Sequence, residues 1–147
     1  NEWVMVDGGK DHSCARTVTG EIHCWGKDSD GRTDSPETLF KTLSLGKEYS
    51  CGHSPGDPAV CWGKDNEDQI YPPEISFESM SAGDKHGCGI DALGALHCWG
   101  KDDNDRIEPP EGVFTRLAVG GNHACAQDRE GEIACWGKDN HDQSTPP

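Results

Sequence analysis

The chain has 147 residues and a formal charge of −14, from 27 Asp and Glu against 13 Lys and Arg. This length fits one domain. The sequence contains no run of about 18 apolar residues that could span a membrane and no basic stripe that could neutralise nucleic-acid phosphates. Membrane insertion and nucleic-acid binding are therefore excluded. Leu, Ile, Val and Phe make up only about a seventh of the chain, which favours disorder. The 8 Cys, 5 Trp and 19 Gly argue against disorder.

A tandem repeat of 37 residues organises the whole chain, within a single domain over 1–147. Cys, Trp, Gly and Pro recur in register without an insertion, and each copy opens on an aromatic residue. We delimit four repeats as 3–39, 40–76, 77–113 and 114–147. The aromatic column is Trp3, Phe40, Phe77 and Phe114, and the Trp column is Trp25, Trp62, Trp99 and Trp136.

Three short apolar runs follow one another in each repeat. In the last repeat they are 114–119, 122–126 and 132–136, separated by Gly120 and Gly131. Runs this short, broken by Gly and Pro, predict strands. Helical periodicity over 11 or more residues is absent, so the chain is predicted to be all-β.

The second and third runs are predicted to form a hairpin. In the first repeat, a loop over 18–20 places Cys14 opposite Cys24, and Gly20 takes the loop position that prefers the left-handed conformation. Gly94 and Gly131 are its equivalents. The segment 54–58 of the second repeat, Ser-Pro-Gly-Asp-Pro, implies a different turn.

Cysteines directly opposite each other on antiparallel strands lie within disulfide reach. We therefore predict one disulfide per repeat, which indicates an oxidising, secreted or extracellular location. Reduced, buried thiols are the alternative. Zinc is disfavoured because its ligand pairs usually lie two to four residues apart. The predicted bridges are Cys14–Cys24, Cys51–Cys61, Cys88–Cys98 and Cys125–Cys135.

The stretches FTRLAVGGN and HACAQDREGEIACWGKDNHDQSTPP resemble repeats of the regulator-of-chromosome-condensation superfamily. They are most similar to the bacterial, Cys-containing version and to the Crinkly-type repeats of plant receptor ectodomains. The resemblance covers residues 3–147 and implies a β-propeller with about one small antiparallel blade per repeat. Family units often carry Gly-x-Asn-x-x-Gly-Gln after the Trp, and here the second Gly survives only as Gly31.

Functions within this superfamily include guanine-nucleotide exchange, chromatin binding, receptor recognition and β-lactamase inhibition. The first two belong to longer, usually intracellular propellers, and the acidity and predicted disulfides of this chain count against them. Propellers usually have four to eight blades. The four repeats therefore predict either a four-bladed ring or half of an eight-bladed homodimer.

The loop after each Cys-Trp-Gly is rich in Asp and is the candidate binding site. Calcium favours several carboxylate and carbonyl oxygens at once, but the full EF-hand spacing is missing. The alternative is that the first Asp caps a turn while the other acids are solvated. No cofactor is required by the sequence, and calcium is kept as a hypothesis. The candidate residues are Asp28, Asp30, Asp65, Asp68, Asp102, Asp105, Asp139 and Asp142.

Two further columns are predicted to be structural. His12, Tyr49, His86 and His123 share one position, where each could hydrogen-bond within its own blade or three imidazoles could converge on a metal. The Trp column is predicted to be inter-blade core; an exposed column would instead indicate a sugar-stacking platform. Trp3 is also predicted to be core.

The sequence contains no nucleophile elbow, phosphate loop or zinc-protease motif. We therefore predict a non-enzymatic, extracellular recognition module that binds a protein partner, as an inhibitor or a receptor-like ectodomain does. A lectin with repeated carbohydrate sites and a self-assembling structural protein are the alternatives.

Overall fold

The computed structural model describes residues 2–147 and contains twelve β-strands and no helix over that range, which confirms the all-β prediction. None of the described residues forms a helix long and apolar enough to cross a membrane. The strands are β1 (Trp3–Gly8), β2 (His12–Thr17), β3 (Ile22–Gly26), β4 (Thr42–Leu45), β5 (Tyr49–His53), β6 (Val60–Gly63), β7 (Phe77–Ala82), β8 (His86–Asp91), β9 (Leu96–Gly100), β10 (Phe114–Val119), β11 (His123–Asp128) and β12 (Ile133–Gly137).

Each repeat supplies one three-stranded antiparallel sheet, so the chain forms four consecutive propeller blades. We number these sheets blade 1 to blade 4 in chain order. The second and third strands of every blade pair Cys to Cys, as in Cys14 opposite Cys24. All four predicted disulfides join these opposed residues, and none of the described cysteines is free.

The hairpin loops follow the predicted turn chemistry. Gly20, Gly94 and Gly131 have φ angles of 101°, 85° and 91°. Residues with a side chain adopt such angles only at an energetic cost. The second repeat differs as expected: its positive φ falls on Gly56, and the Asp57 backbone N–H donates to the Ser54 carbonyl.

The hydrophobic core lies between the blades. Three buried clusters each combine residues of two neighbouring blades. Between blades 2 and 3, Phe77 is completely buried and lies 5.9 Å from Trp99, ring centre to ring centre. Gly89 faces the Phe77 ring so closely that an added Cβ would collide with it. Small residues opposite aromatic ones therefore allow these short blades to pack tightly.

A backbone hydrogen-bond ladder links the blades at the propeller axis. Lys10 donates to the carbonyl of Lys47, Lys47 to that of Asp84, and Asp84 to that of Gly121, at 2.9, 3.3 and 3.3 Å. Gly9, beside this ladder, approaches the Gly46 carbonyl so closely that a Cβ would lie 2.7 Å from that oxygen. The Gly column is therefore required by the close approach of neighbouring blades.

The four blades form an open array. Neighbouring blades pack three times along the chain, whereas no comparable strand packing joins blade 4 to blade 1 among residues 2–147. A four-bladed ring is therefore not closed in this structure. The prediction that Trp3 belongs to the core is wrong, because its side chain is 51% exposed. Trp3 lies on the face of blade 1 that has no preceding blade to cover it.

Candidate functional site

The Asp-rich loops and the axial turns lie at the same end of the blades. Both connect strand ends that point in one direction, so together they build one surface, which we call the loop face. It consists of the loops 27–33, 64–70, 101–107 and 138–144 and the turns 9–11, 46–48, 83–85 and 120–122. At its centre is a funnel of about 370 Å³, lined by residues from all four axial turns.

All eight candidate Asp residues are exposed on this face. In the second, third and fourth repeats, the second candidate Asp of the loop lies where family units carry their second Gly. The backbone is left-handed at this position in all four repeats, with φ of 69° at Gly31, 58° at Asp68, 57° at Asp105 and 59° at Asp142. Asp tolerates this conformation better than most residues do. The loop shape is therefore retained although the Gly is lost.

The side chain of the residue after this position hydrogen-bonds to the backbone of its own loop in each repeat. Arg32 Nε donates to the Ser29 carbonyl at 2.8 Å, and Arg106 Nε donates to the Asp103 carbonyl at 3.0 Å. Arg32 and Arg106 are almost completely buried. Their hydrogen bonds satisfy backbone oxygens that the irregular loop leaves without partners.

In the second and fourth repeats a Gln takes this position and binds backbone N–H groups of its own loop. Gln69 Oε1 accepts from the backbone N–H groups of Asn66 and Glu67, at 3.3 and 2.8 Å. Gln143 Oε1 accepts from the His141 N–H at 2.8 Å. We call Arg32, Gln69, Arg106 and Gln143 the loop staples.

Turn capping by the first Asp is clearest in the last repeat. Asp139 accepts from the Ser144 backbone N–H at 2.7 Å and from the Thr145 hydroxyl at 2.8 Å, and these bonds lower the pKa of its carboxyl. Asp65 instead faces the exposed Tyr71 hydroxyl, whose pKa it raises.

Among residues 2–147 the structure brings no three His, Cys, Asp or Glu side chains into an arrangement that could hold a metal ion. The eight candidate Asp residues lie exposed on four separate loops, whereas calcium needs six to eight oxygens around one point. Calcium binding by these loops stays a hypothesis, and its test is given in the Discussion.

Lysine side chains contact acidic residues of the loop face. Lys64 contacts Glu48 at 3.0 Å, and that hydrogen bond is the main reason why the pKa of Glu48 is lowered. Lys101 lies 3.2 Å from Asp103. Partial burial opposes ionisation of Asp103, but Lys101 and Arg106 outweigh it and lower its pKa. Asp30 is likewise paired with Arg32 at 3.0 Å. Basic residues therefore partly neutralise the acidic loops, although all eight candidate Asp residues are exposed.

In the column of His and Tyr residues, His12 and Tyr49 hydrogen-bond to the next blade, so for these two the prediction of bonds within one blade is wrong. Both ring nitrogens of His86 are buried without a hydrogen-bond partner. His12 Nε2 lies 2.9 Å from the Ser50 hydroxyl in blade 2, and the Tyr49 hydroxyl donates to the His86 carbonyl in blade 3 at 2.7 Å. These side chains reach forwards because each blade packs on the next one. Burial, with help from Arg106, lowers the pKa of His86 to about 4, and burial also lowers that of His12.

The Trp column is core wherever a preceding blade exists. Trp62, Trp99 and Trp136 are buried, as predicted, and the indoles of Trp99 and Trp136 donate to the carbonyls of Gln69 and Arg106 at 3.1 Å. Trp25 is the exception at 52% exposed, because blade 1 has no blade before it. The column therefore does not form a repeated sugar-stacking platform.

Sequence reasoning missed the loop staples. Arg32 and Arg106 stand where family units carry the final Gln, which the second and fourth repeats keep as Gln69 and Gln143. The shared property is several hydrogen-bond groups on a long side chain. Recurrence of that property once per repeat was the signal that could have identified them.

Comparison with protein families adds an independent result. The family model for the regulator of chromosome condensation (RCC1) repeat matches residues 5–32, 77–106 and 114–143, which is about three fifths of the chain. The second repeat lies outside these matches, and it carries the divergent 54–58 turn. None of the curated proteins matches the sequence significantly.

Solved structures share the fold. The Crinkly ectodomain of the Arabidopsis thaliana receptor kinase ACR4 has a TM-score of 0.77 at 24% identity, over 92% of this chain and 50% of that one. The Physcomitrella patens receptor kinase CR4 ectodomain has a TM-score of 0.78 at 27% identity, over 92% and 40%. Saccharomyces cerevisiae Prp20p has a TM-score of 0.77 at 17% identity, over 92% and 45%. The chain thus spans half or less of these relatives.

Proposed function

The chain belongs to the regulator of chromosome condensation (RCC1) repeat family, and we propose that it is an extracellular protein-recognition module that acts by binding and not by catalysis. The observation that carries this proposal is the loop face, where eight exposed Asp side chains stand on stapled loops. Rigid loops lose little conformational entropy on binding. The exposed Asp side chains favour a partner that places basic side chains opposite them.

An extracellular location is supported by the four disulfides, which persist in oxidising compartments. The receptor-kinase ectodomains of A. thaliana and P. patens use the same fold outside the cell. Protein partners are also known for the more distant Prp20p, whose binding to Gsp1p and histones is described.

The experiment is a screen of the disulfide-bonded chain against arrays of secreted ectodomains and of glycans. We expect binding to ectodomains with basic surfaces, weakening as salt is raised. Repeated glycan binding without a protein hit would favour the lectin alternative. Silence on both arrays would contradict recognition by this chain.

A charge-matched pair of variants locates the site. The first variant changes one exposed Asp per loop to Asn, at Asp28, Asp65, Asp102 and Asp139. The control makes four equivalent Gln substitutions of exposed acids at the opposite end of the blades, at Glu21, Glu78, Glu130 and Glu132. Loss of four contacts worth about 0.5–1 kcal/mol each lowers affinity by roughly 30-fold or more in the first variant. An equal loss in the control would place the site elsewhere.

A further inference from the structure

One pocket of the loop face is lined mainly by basic residues, and we call it the cation pocket. It has a volume of about 260 Å³ and lies where blades 3 and 4 meet, with one further side chain from blade 2. Its walls come only from blades that pack on one another here, so it does not depend on what covers the outer blade faces. Two acids, Asp84 and Asp103, also line it. The basic residues are Lys47, Lys85, Lys101, Arg106 and Lys138.

The interface between blades 1 and 2 shows how equivalent cations are neutralised. There the Glu48 carboxylate lies 3.0 Å from the Lys64 ammonium and 3.8 Å from the Arg32 guanidinium, so it joins the turn of blade 2 to the loop of blade 1. The hydrogen bond from Lys64, and more weakly the charge of Arg32, lowers the pKa of Glu48. This pair of cations therefore stabilises an ionised carboxylate.

The interface between blades 3 and 4 repeats this frame without the central carboxylate. Asn122 stands at the position of Glu48, two repeats further along the chain. The Lys138 N–H donates to the Asn122 carbonyl at 2.9 Å, and the corresponding bond from Lys64 to Glu48 is 3.0 Å long. Arg106 is 3% exposed and binds a carbonyl of its own loop, as its counterpart in the first repeat does. The basic residues are thus kept in the same backbone frame, and the acid between them is lost.

A second acidic position is also neutral in this interface. In the first loop Asp30 pairs with Arg32 at 3.0 Å, and in the second loop the equivalent Glu67 pairs with Lys85 at 3.4 Å. Asn104 stands at this position in the third loop. Two positions that supply carboxylates elsewhere in the loop face are therefore amides between blades 3 and 4.

The acids that remain do not pair with every cation of the pocket. Asp103 contacts Arg106 and, at 3.2 Å, Lys101. Lys47 and Lys138 are half-buried and form no ion pair within residues 2–147. The cation pocket therefore concentrates positive potential at a concave site of an acidic protein.

We propose that the cation pocket binds a carboxylate group of a ligand, in the place that Glu48 fills between blades 1 and 2. Lys138 and Arg106 hold the carboxylate oxygens through charge-assisted hydrogen bonds, which are stronger than neutral ones, and the Asn122 side-chain amide donates to the same group. The volume leaves room for several waters as well, since each occupies about 30 Å³ in the liquid. The proposal does not depend on the proposed function, because a free carboxylate tests it without a protein partner.

Titration of the isotopically labelled, disulfide-bonded chain with sodium acetate at neutral pH, followed by amide NMR spectra, tests this site. Sodium chloride at equal ionic strength and acetamide are the controls. We expect saturable shifts that centre on Asn104, Asn122 and Lys138 with acetate alone. The same shifts with chloride, shifts spread over the whole surface, or a response to phosphate without one to acetate would overturn the proposal.

Asn122→Glu supplies the missing carboxylate from within the chain. It copies Glu48 of the second repeat, so we expect it to remove the acetate response and to raise the melting temperature by pairing with Lys138. Asn122→Gln extends the side chain by the same length without a charge and should retain the response. Acetate binding by Asn122→Glu as tight as that of the wild-type chain would contradict the assignment.

Lys138→Met removes an unpaired cation and keeps the length of its side chain. Acetate affinity should fall about tenfold, which corresponds to 1.4 kcal/mol. Lys27→Met is the matched control, because Lys27 has the same position in the first repeat but is exposed and lies outside the pocket. Equal losses in the two variants would reduce the effect to overall charge and overturn the site.

A pair of short peptides distinguishes the two sources of a carboxylate, a free small acid and an acidic side chain of a protein. One peptide carries a single glutamate among neutral residues, and the other carries glutamine in its place. Affinity for the glutamate peptide close to that for acetate supports a site for free acids, whereas tighter binding of that peptide supports a protein side chain. Equal binding of both peptides would contradict recognition of a carboxylate.

Discussion

At the scale of single residues, the column of His and Tyr shows how a buried polar group can be accommodated between blades. Both residue types combine an apolar ring with a polar tip. The ring fills the interface while the tip reaches a group of the next blade, as the Tyr49 hydroxyl does at the His86 carbonyl and His12 Nε2 does at the Ser50 hydroxyl. Burial favours the uncharged form, which is why the pKa of His86 falls to about 4.

This shift predicts an acid-sensitive fold. As the pH falls from 6.5 towards 4, the unfolded chain binds a proton at His86 that the folded chain does not, so the free energy of unfolding decreases. The full loss is about 3 kcal/mol and is absent above pH 6.5. His86→Tyr, which copies the second repeat, should remove this component. Urea unfolding at pH 7.5, 5.5 and 4 measures it.

His141→Asn, a substitution of an exposed histidine, is measured in parallel as the control. Glu48, Asp91 and Asp103 also have lowered pKa values and lose stabilisation at still lower pH. The difference between wild type and His86→Tyr separates their contribution from that of His86. Parallel profiles for these two proteins would contradict the role assigned to His86.

At the scale of the blade, equivalent residues differ in burial according to the neighbour of the blade. A three-stranded sheet this small cannot bury its own face, so each blade depends on the next one. Trp99 and Trp25 occupy the same position of the repeat, yet one is core and the other is half exposed. The repeat alone does not determine this difference.

Paired alanine substitutions measure that dependence. Trp99→Ala should lower the free energy of unfolding by about 3–5 kcal/mol, because it removes an indole packed against Phe77 and leaves a cavity. Trp25→Ala should cost about 1 kcal/mol or less in dilute solution, where blade 1 has no covering partner. Denaturant unfolding of both variants at low concentration gives the comparison. Equal losses would contradict the open array.

At the scale of the whole molecule, disulfides and aromatic packing compensate for the scarcity of aliphatic residues. Each bridge closes a loop with a sequence separation of 10 residues, and a loop of that size contributes about 3 kcal/mol in the chain-entropy model. The loop face carries 13 of the 27 acidic residues but also 9 of the 13 basic ones, so the lysines and the two Arg staples offset most of its charge.

This arrangement leads to a prediction about calcium. The staples hold the loop backbone without a metal, so EDTA should leave the melting temperature unchanged. Added calcium should act no more strongly than magnesium at equal ionic strength. Thermal unfolding followed by circular dichroism provides the measurement. A lower melting temperature in EDTA that calcium alone restores would instead establish the Asp loops as calcium sites.

Much of this molecule could be predicted from the repeat. Residues opposite each other in a short hairpin are determined by loop length, so the Cys14–Cys24 bridge and the left-handed Gly20 followed from local spacing. The buried position of Arg32 could not be predicted in this way, because it depends on a loop that folds back over its own side chain.

By itself, the sequence determined the number of blades, their strands and their disulfides, because these depend on spacing within a repeat. The tertiary structure decided which repeats bury their core positions. Trp3 and Trp25 have the residue types of a core position, but burial requires a neighbouring blade, and blade 1 has one on only one side. Periodicity describes every repeat alike, whereas the first and last differ from the others only in what packs against them.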